Sequence, residues 1–336
     1  MAINQHFELR VLGGGMLLLF LLAHPSYGGS SSSQIRSLAI SPDGKVIAVD
    51  FGKDSTSFIY RVSVDTGIAT RLTDARTGAE SGPAFSADGK RIAYSYSPAN
   101  GAHSSIVTRN VDGSGLHSWS SSGNDYWPVF SPDNKAIVFA RSGYYGNYSP
   151  IAQPYPHAWD FYASDLDGTN VRELTREHFY MASPASVSPS GETIVVATEG
   201  VDTPRQIAVY SLGHVGKPSL SLRPHVPKEA DHKDPIVNYP NYMPDGKSIL
   251  FMAASNGKPW SGYDYDVYRV DIDTGALERL TKGNGFATDL RVSADGKTAA
   301  FLKWRSDWRG TPIKSELYLL DVQTHKLTPF KVTGLN

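Results

Sequence analysis

The chain has 336 residues, too many for one small core, so its length predicts several domains or a tandem repeat. A formal net charge of −1 gives no electrostatic case for nucleic acid or an anionic membrane surface. Cysteine is absent, which removes disulfides, thiolate nucleophiles and Cys zinc sites, while abundant Tyr, Gly and Pro favour many short strands joined by turns.

The first element in chain order is an export signal. Arg10 precedes an apolar run, Val11–Ala23, of the length of a signal-peptide core and too short to span a bilayer comfortably. Ser26-Tyr27-Gly28 supplies small residues for cleavage. The expectation is a signal peptide over 1–28, a Gly/Ser-rich flexible leader over 29–34 and a periplasmic or secreted protein without integral membrane segments. An uncleaved anchor is the alternative.

From residue 35 onward the chain repeats. SPDGK at Ser41–Lys45 recurs as SADGK at Ser86–Lys90, SPDNK at Ser131–Lys135, SPSGE at Ser188–Glu192, MPDGK at Met243–Lys247 and SADGK at Ser293–Lys297. Each copy follows a short strand pattern and precedes a more apolar one, as in AIVFAR after SPDNK, so the Asp-Gly pair reads as a hairpin turn. A third strand, a second turn and a fourth strand follow, as in FYASDLDGTNVRELT over Phe161–Thr175. The copy starting at Ser188 is degenerate, so a seventh unit is the alternative count. Tandem four-stranded units at this period predict an all-β, six-bladed β-propeller over 35–336, built of four-stranded antiparallel blades. The ring would close without strand exchange unless Lys331–Asn336 or the leader pairs across the seam.

FSADGK at Phe85–Lys90 and DLDGTNVRELT at Asp165–Thr175 resemble the WD-repeat-like propeller of the TolB family. The resemblance covers Gln34 to about Phe330. It implies the propeller fold, and it is weak for function because the repeat builds a scaffold. More distant similarity to oligogalacturonate lyase implies a divalent metal held by histidines on one face. Similarity to prolyl-oligopeptidase propellers implies no hydrolase here, since no G-x-S-x-G elbow occurs.

In such a blade the A–B and C–D turns share one face, and the B–C and D–A connections share the other. The longest, most aromatic segments fall on that second face: 141–159, 223–238, 255–265 and 303–314. Candidate ligand-binding residues there are Arg141, Tyr145, Tyr155, Trp159, Trp260, Tyr263, Trp304, Arg305 and Trp308, aromatics for stacking and arginines for carboxylates. Tyr126 and Trp127 read as structural, plugging the channel or packing between blades.

The first functional expectation is an exported, non-catalytic propeller that binds an envelope or secreted protein, or a glycan, as a monomer without a cofactor. The alternative is a metal-dependent polysaccharide lyase or hydrolase, with His157, His178, His225 and His232 holding a divalent metal such as manganese or calcium.

Overall fold

The computed structural model describes residues 33–53, 55–73, 77–99, 103–119, 123–146, 155–200, 204–224, 236–258, 262–306 and 312–335. Every regular element among them is a strand. The first repeat contributes β1 (Gln34–Ile40), β2 (Val46–Lys53), β3 (Thr56–Ser63) and β4 (Ala69–Arg71). The second contributes β5 (Gly78–Phe85), β6 (Arg91–Pro98), β7 (Ser105–Asn110) and β8 (His117–Trp119). The third holds β9 (Asn124–Phe130), β10 (Ala136–Gly146), β11 (Tyr155–Asp165) and β12 (Arg172–Glu173). In the fourth the inner strand is split into β13 (Met181–Ala182) and β14 (Ser186–Val187), before β15 (Thr193–Glu199), β16 (Gln206–Ser211) and β17 (Leu220–Leu222). The fifth holds β18 (Val237–Tyr242), β19 (Ser248–Lys258), β20 (Gly262–Asp271) and β21 (Leu277–Arg279). The last holds β22 (Ala287–Val292), β23 (Thr298–Ser306), β24 (Pro312–Asp321) and β25 (Leu327–Phe330).

These strands form five antiparallel sheets rather than six separate ones. β1–β8 make a single eight-stranded sheet, joined through one parallel pairing of Ser57 with Ala79. The split in the fourth repeat falls at Ser183-Pro184-Ala185, because Pro184 has no N–H to give the ladder.

The repeated turn is a small hydrogen-bonded machine. Ser41 Oγ donates to Asp43 Oδ1 at 2.6 Å, Lys45 N–H donates to the same oxygen at 3.1 Å, and Val46 N–H donates to Ser41 Oγ at 2.9 Å. The same three bonds recur at Ser86, Ser131 and Ser293. The fourth position must be left-handed, which explains Gly44 (φ 70°) and the Asn134 substitute (φ 59°). Consecutive turns touch: a Cβ on Gly89 would lie 3.6 Å from Pro42 Cδ, one on Gly191 3.8 Å from Pro132 Cδ, and one on Gly246 3.8 Å from Pro189 Cδ.

The second signature ends in a latch. Ile59 N–H, Phe161 N–H and Val267 N–H donate to the hydroxyls of Thr73, Thr175 and Thr281, each at 2.9 Å. The Thr of each Leu-Thr pair therefore fastens the connection to the next repeat back onto its own third strand. Apolar clusters fill the space between adjacent sheets, as where Val195 and Ile207 meet Val237, Phe251 and Tyr268.

The described C-terminal segment returns to the first repeat. Thr333 N–H donates to Gly67 O at 2.9 Å and Ala69 N–H donates to Thr333 O at 2.7 Å, so the segment after β25 pairs beside β4. Val332 and Leu335 pack with Ile35, Leu38 and Tyr60. The condition attached to the seam is met by the C-terminal segment.

Candidate functional site

The second face is built differently from a set of loops. In the third, fifth and sixth repeats the central strands extend into the segments expected to be loops. β10 and β11 are 11 residues each, β19 and β20 are 11 and 10, and β23 and β24 are 9 and 10. The corresponding strands of the fourth repeat have 7 and 6. Pairing persists to the ends, with Gly146 opposite Tyr155, Lys258 opposite Gly262 and Ser306 opposite Pro312. Each ribbon stands on a stacked cross-strand pair: Phe139–Tyr162, Phe251–Tyr268 and Phe301–Tyr318, with ring centroids 5.9, 5.8 and 6.2 Å apart.

The candidate binding residues divide. Arg141 is engaged within the protein: its Nε and Nη2 donate to Asp125 at 2.7 and 3.1 Å, and its guanidinium lies 4.4 Å from the Tyr162 ring centre. Trp159 is 3% exposed and stacks on Trp127 at 4.8 Å, with Tyr126 edge-on at 5.5 Å. Trp304 is half-buried and its Nε1 donates to Thr288 Oγ1 at 2.8 Å. Arg305 stays on the surface, its side chain 69% exposed, with Glu316 at 3.0 Å. Tyr145, Tyr155 and Tyr263 occupy ribbon positions opposite Pro156, Gly146 and Gly257. Trp260 and Trp308 lie outside the described residues. Tyr144, on β10, is 58% exposed and stacks near His157, 6.0 Å between ring centres.

Of the histidines, His178 has the most defined environment. Its Nδ1 lies 2.7 Å from Asp160 Oδ2, while its side chain is 73% exposed. Asp160 also accepts from Thr175 Oγ1 at 2.7 Å and Glu177 N–H at 2.8 Å, and burial pushes its carboxyl up from the usual range. His157 sits on the third-repeat ribbon; His225 and His232 lie outside the described residues. Among the described residues no three His, Asp or Glu side chains gather as a metal-holding group. The described part of the proposed set therefore offers one oriented imidazole and no complete coordination sphere.

The inner strands are the segments that precede the repeated turns, as their pattern predicted. These six inner segments surround a cavity of about 290 Å³, lined among others by Gly82, Trp127, Pro184, Asn241 and Arg291. Trp127 adopts φ 54° there, and Gly82 (φ 62°) faces it closely, since a Cβ on Gly82 would come 3.3 Å from Trp127 Cδ1. Buried charge sits at the seam of the first and last repeats. Asp289 accepts from Leu38 N–H and pairs with Arg291 Nη2 at 2.8 Å, and Asp50 accepts from Arg36 N–H, Ser37 N–H and Ser37 Oγ. The only sequence signal was an Asp four residues before a turn, where other repeats carry Ser, Gly, Trp, Pro or Tyr.

Solved structures share this fold. TolB from Acinetobacter baumannii matches with a TM-score of 0.57 and 18% identity, over 89% of this chain and 63% of that one. The fold is a β-propeller. Oligogalacturonate lyase from Vibrio parahaemolyticus matches the propeller with a TM-score of 0.55 and 14% identity, over 90% of this chain and 78% of that one. An oligogalacturonate lyase in complex with manganese gives 0.55 and 16%, over 88% and 76%. The chain thus spans 63% of the length of the TolB structure. No protein-family model matches the chain. At these identities the likeness carries the propeller fold and leaves its ligand to the site itself.

Proposed function

We propose that this is an exported, six-bladed, non-catalytic propeller that binds a protein or cell-envelope glycan through its B–C and D–A face. The observation that carries the reading is the set of three elongated ribbons, which extend that face with Tyr144, Arg305 and Lys314 outward. Paired ribbons are costlier to retain than short turns, and exposed aromatics beside cations suit a polymer with rings and carboxylates. The touching turns support a count of six blades. Arg10 followed by Val11–Ala23 supports export.

The glycan arm is tested with sedimentation of the purified protein on peptidoglycan and with polygalacturonate affinity gels. Parent protein is compared with a variant in which 145–155 is replaced by Asn-Gly. Retention by the parent and its loss in a variant of unchanged melting temperature supports the reading. Equal retention by both places the contact elsewhere.

The second reading, a metal-dependent lyase or hydrolase, is favoured by one observation: the Asp160 carboxylate orients His178 as partner carboxylates orient metal-bound imidazoles. A manganese or calcium titration reading stoichiometric retention, lost in the His157→Ala, His178→Ala double variant, supports it. No retained metal removes it.

A further inference from the structure

The cavity inside the ring has two unlike halves. It is lined by the residue two places before each repeated turn: Ala39, Ala84 and Val129 in the first three repeats, Ser186, Asn241 and Arg291 in the last three. Ala87 and Pro132 of the repeated turns line it too, so it lies toward the first face, away from the ribbons. In the polar half Arg291 is already spent: Nε donates to Leu38 O at 3.2 Å, Nη1 to Leu290 O at 3.4 Å, and Nη2 meets Asp289 at 2.8 Å. Asn241 is 8% exposed, and its Nδ2 donates to Tyr239 O at 2.8 Å and Leu290 O at 2.9 Å. Two carbonyls on one side fix the amide, and among the described residues no donor reaches its Oδ1. Ser186 Oγ accepts from Tyr242 N–H at 3.1 Å, while its own proton has no acceptor among the described residues. Opposite stands Trp127, held at φ 54° where the second repeat places Gly82 at 62°. A bulky side chain in that region is strained, and such strain gathers at ligand clamps. Trp159 fixes the indole by stacking at 4.8 Å.

We propose that this cavity binds a small, neutral, planar ring with a lactam edge, an N–H beside a C=O, as in a free pyrimidine-type heterocycle. The ring N–H donates to Asn241 Oδ1, and the ring carbonyl accepts from the Ser186 hydroxyl. Trp127 and the half formed by Ala39, Ala84 and Val129 cover the body of the ring. The chemistry of the lining selects against the other classes. An anion meets no open cation, because Arg291 is neutralised by Asp289. A sugar would leave hydroxyls unpaired against the apolar half, at a cost for each. A volume of about 290 Å³ takes one ring and no polymer. This site is separate from the ribbon face, and neither reading depends on the other.

The test is a chemical-shift titration of ¹⁵N-labelled protein with uracil, thymine and 2-pyridone, following the Trp127 Nε1–H and Asn241 Nδ2–H signals. The Trp127 signal is assigned by its loss in Trp127→Phe. At least one of the three should give a saturable shift of both signals. Two controls probe the lactam edge and the space. 1,3-Dimethyluracil has the same ring without an N–H and should bind about tenfold more weakly than uracil or not at all. Ala84→Leu fills the apolar half and should abolish the shift while the melting temperature stays within a few degrees of the parent. Ser186→Ala should weaken binding about five- to tenfold. No saturable shift with any of the three lactams overturns the proposal. So does equal binding of 1,3-dimethyluracil, or binding that survives in Ala84→Leu. If Ala84→Leu does not fold, the parent compared on uracil and 1,3-dimethyluracil decides.

Discussion

Arg291 Nε donates to the carbonyl of Leu38 across 253 residues of sequence, at 3.2 Å. The same guanidinium holds Asp289 at 2.8 Å in a site where the carboxylate is 4% exposed. Removing it leaves a buried charge without its counter-ion, a change that costs about 3–5 kcal/mol. Arg291→Ala should therefore lower the urea midpoint sharply, and Arg291→Lys should recover only part of it, since an ammonium lacks the planar fork. A midpoint within error of the parent would show that the seam rests on apolar packing alone.

The tail after β25 is a second closure. Deleting 331–336 removes the Thr333 bonds to Gly67 and Ala69 and the packing of Val332 and Leu335. Gly67→Ala attacks the same joint more gently, because its φ is 70° and a Cβ would lie 2.3 Å from Lys331 O. Both variants should stay folded yet melt several degrees lower, with proteolysis beginning at the first repeat. Unchanged melting of both would make the tail an ornament.

The threonine latch predicts a matched pair. Thr175→Val strips Phe161 N–H of its acceptor and Asp160 of one donor, so about 1–3 kcal/mol should be lost. Thr281→Val makes the equivalent cut at Val267, where the Asp266 contact is looser at 3.4 Å. Thr281 Oγ1 also accepts from Asn284 Nδ2 at 2.6 Å, so the second variant should lose a comparable amount in parallel thermal melts, and an unchanged midpoint in both would remove the latch.

Acid behaviour follows from the carboxylates of the repeated turns. In the repeated turns, the hydrogen bonds from Ser41, Ser86, Ser131 and Ser293, aided by backbone N–H groups, hold Asp43, Asp88, Asp133 and Asp295 below their usual range. A depressed carboxyl contributes stability that is present above its unfolded value near 3.8 and lost as pH falls through the folded one. These side chains are near the surface, so solvent screening keeps each contribution small. Their share of stability should thus fall only below about pH 4. Circular-dichroism melts across pH 3–8 should show this acid limb, and replacing all four turn Asp by Asn should flatten it.

The turn and its spacing were legible because Ser-x-Asp-Gly-Lys encodes a closed set of local hydrogen bonds that needs no distant partner. The assignment of faces followed from that. The ribbons were not legible, since Arg141–Trp159 is rich in Gly, Pro and Tyr and carries no two-residue alternation to mark a strand. Arg141 and Trp159 looked like ligand contacts by type, yet their partners Asp125, Tyr162 and Trp127 lie on other strands, which spacing cannot reveal. Asp289 was invisible for the same reason: its partners Leu38 and Asp50 are at the far end of the chain.

The claim that the ribbon face meets the ligand is tested most directly by site-specific photo-crosslinking in the native cell. A benzophenone side chain is introduced at Tyr144 or Arg305 on that face, and at Lys45 or Lys90 on the opposite one. The account predicts discrete adducts from the first pair and none from the second; adducts confined to Lys45 and Lys90 would contradict it.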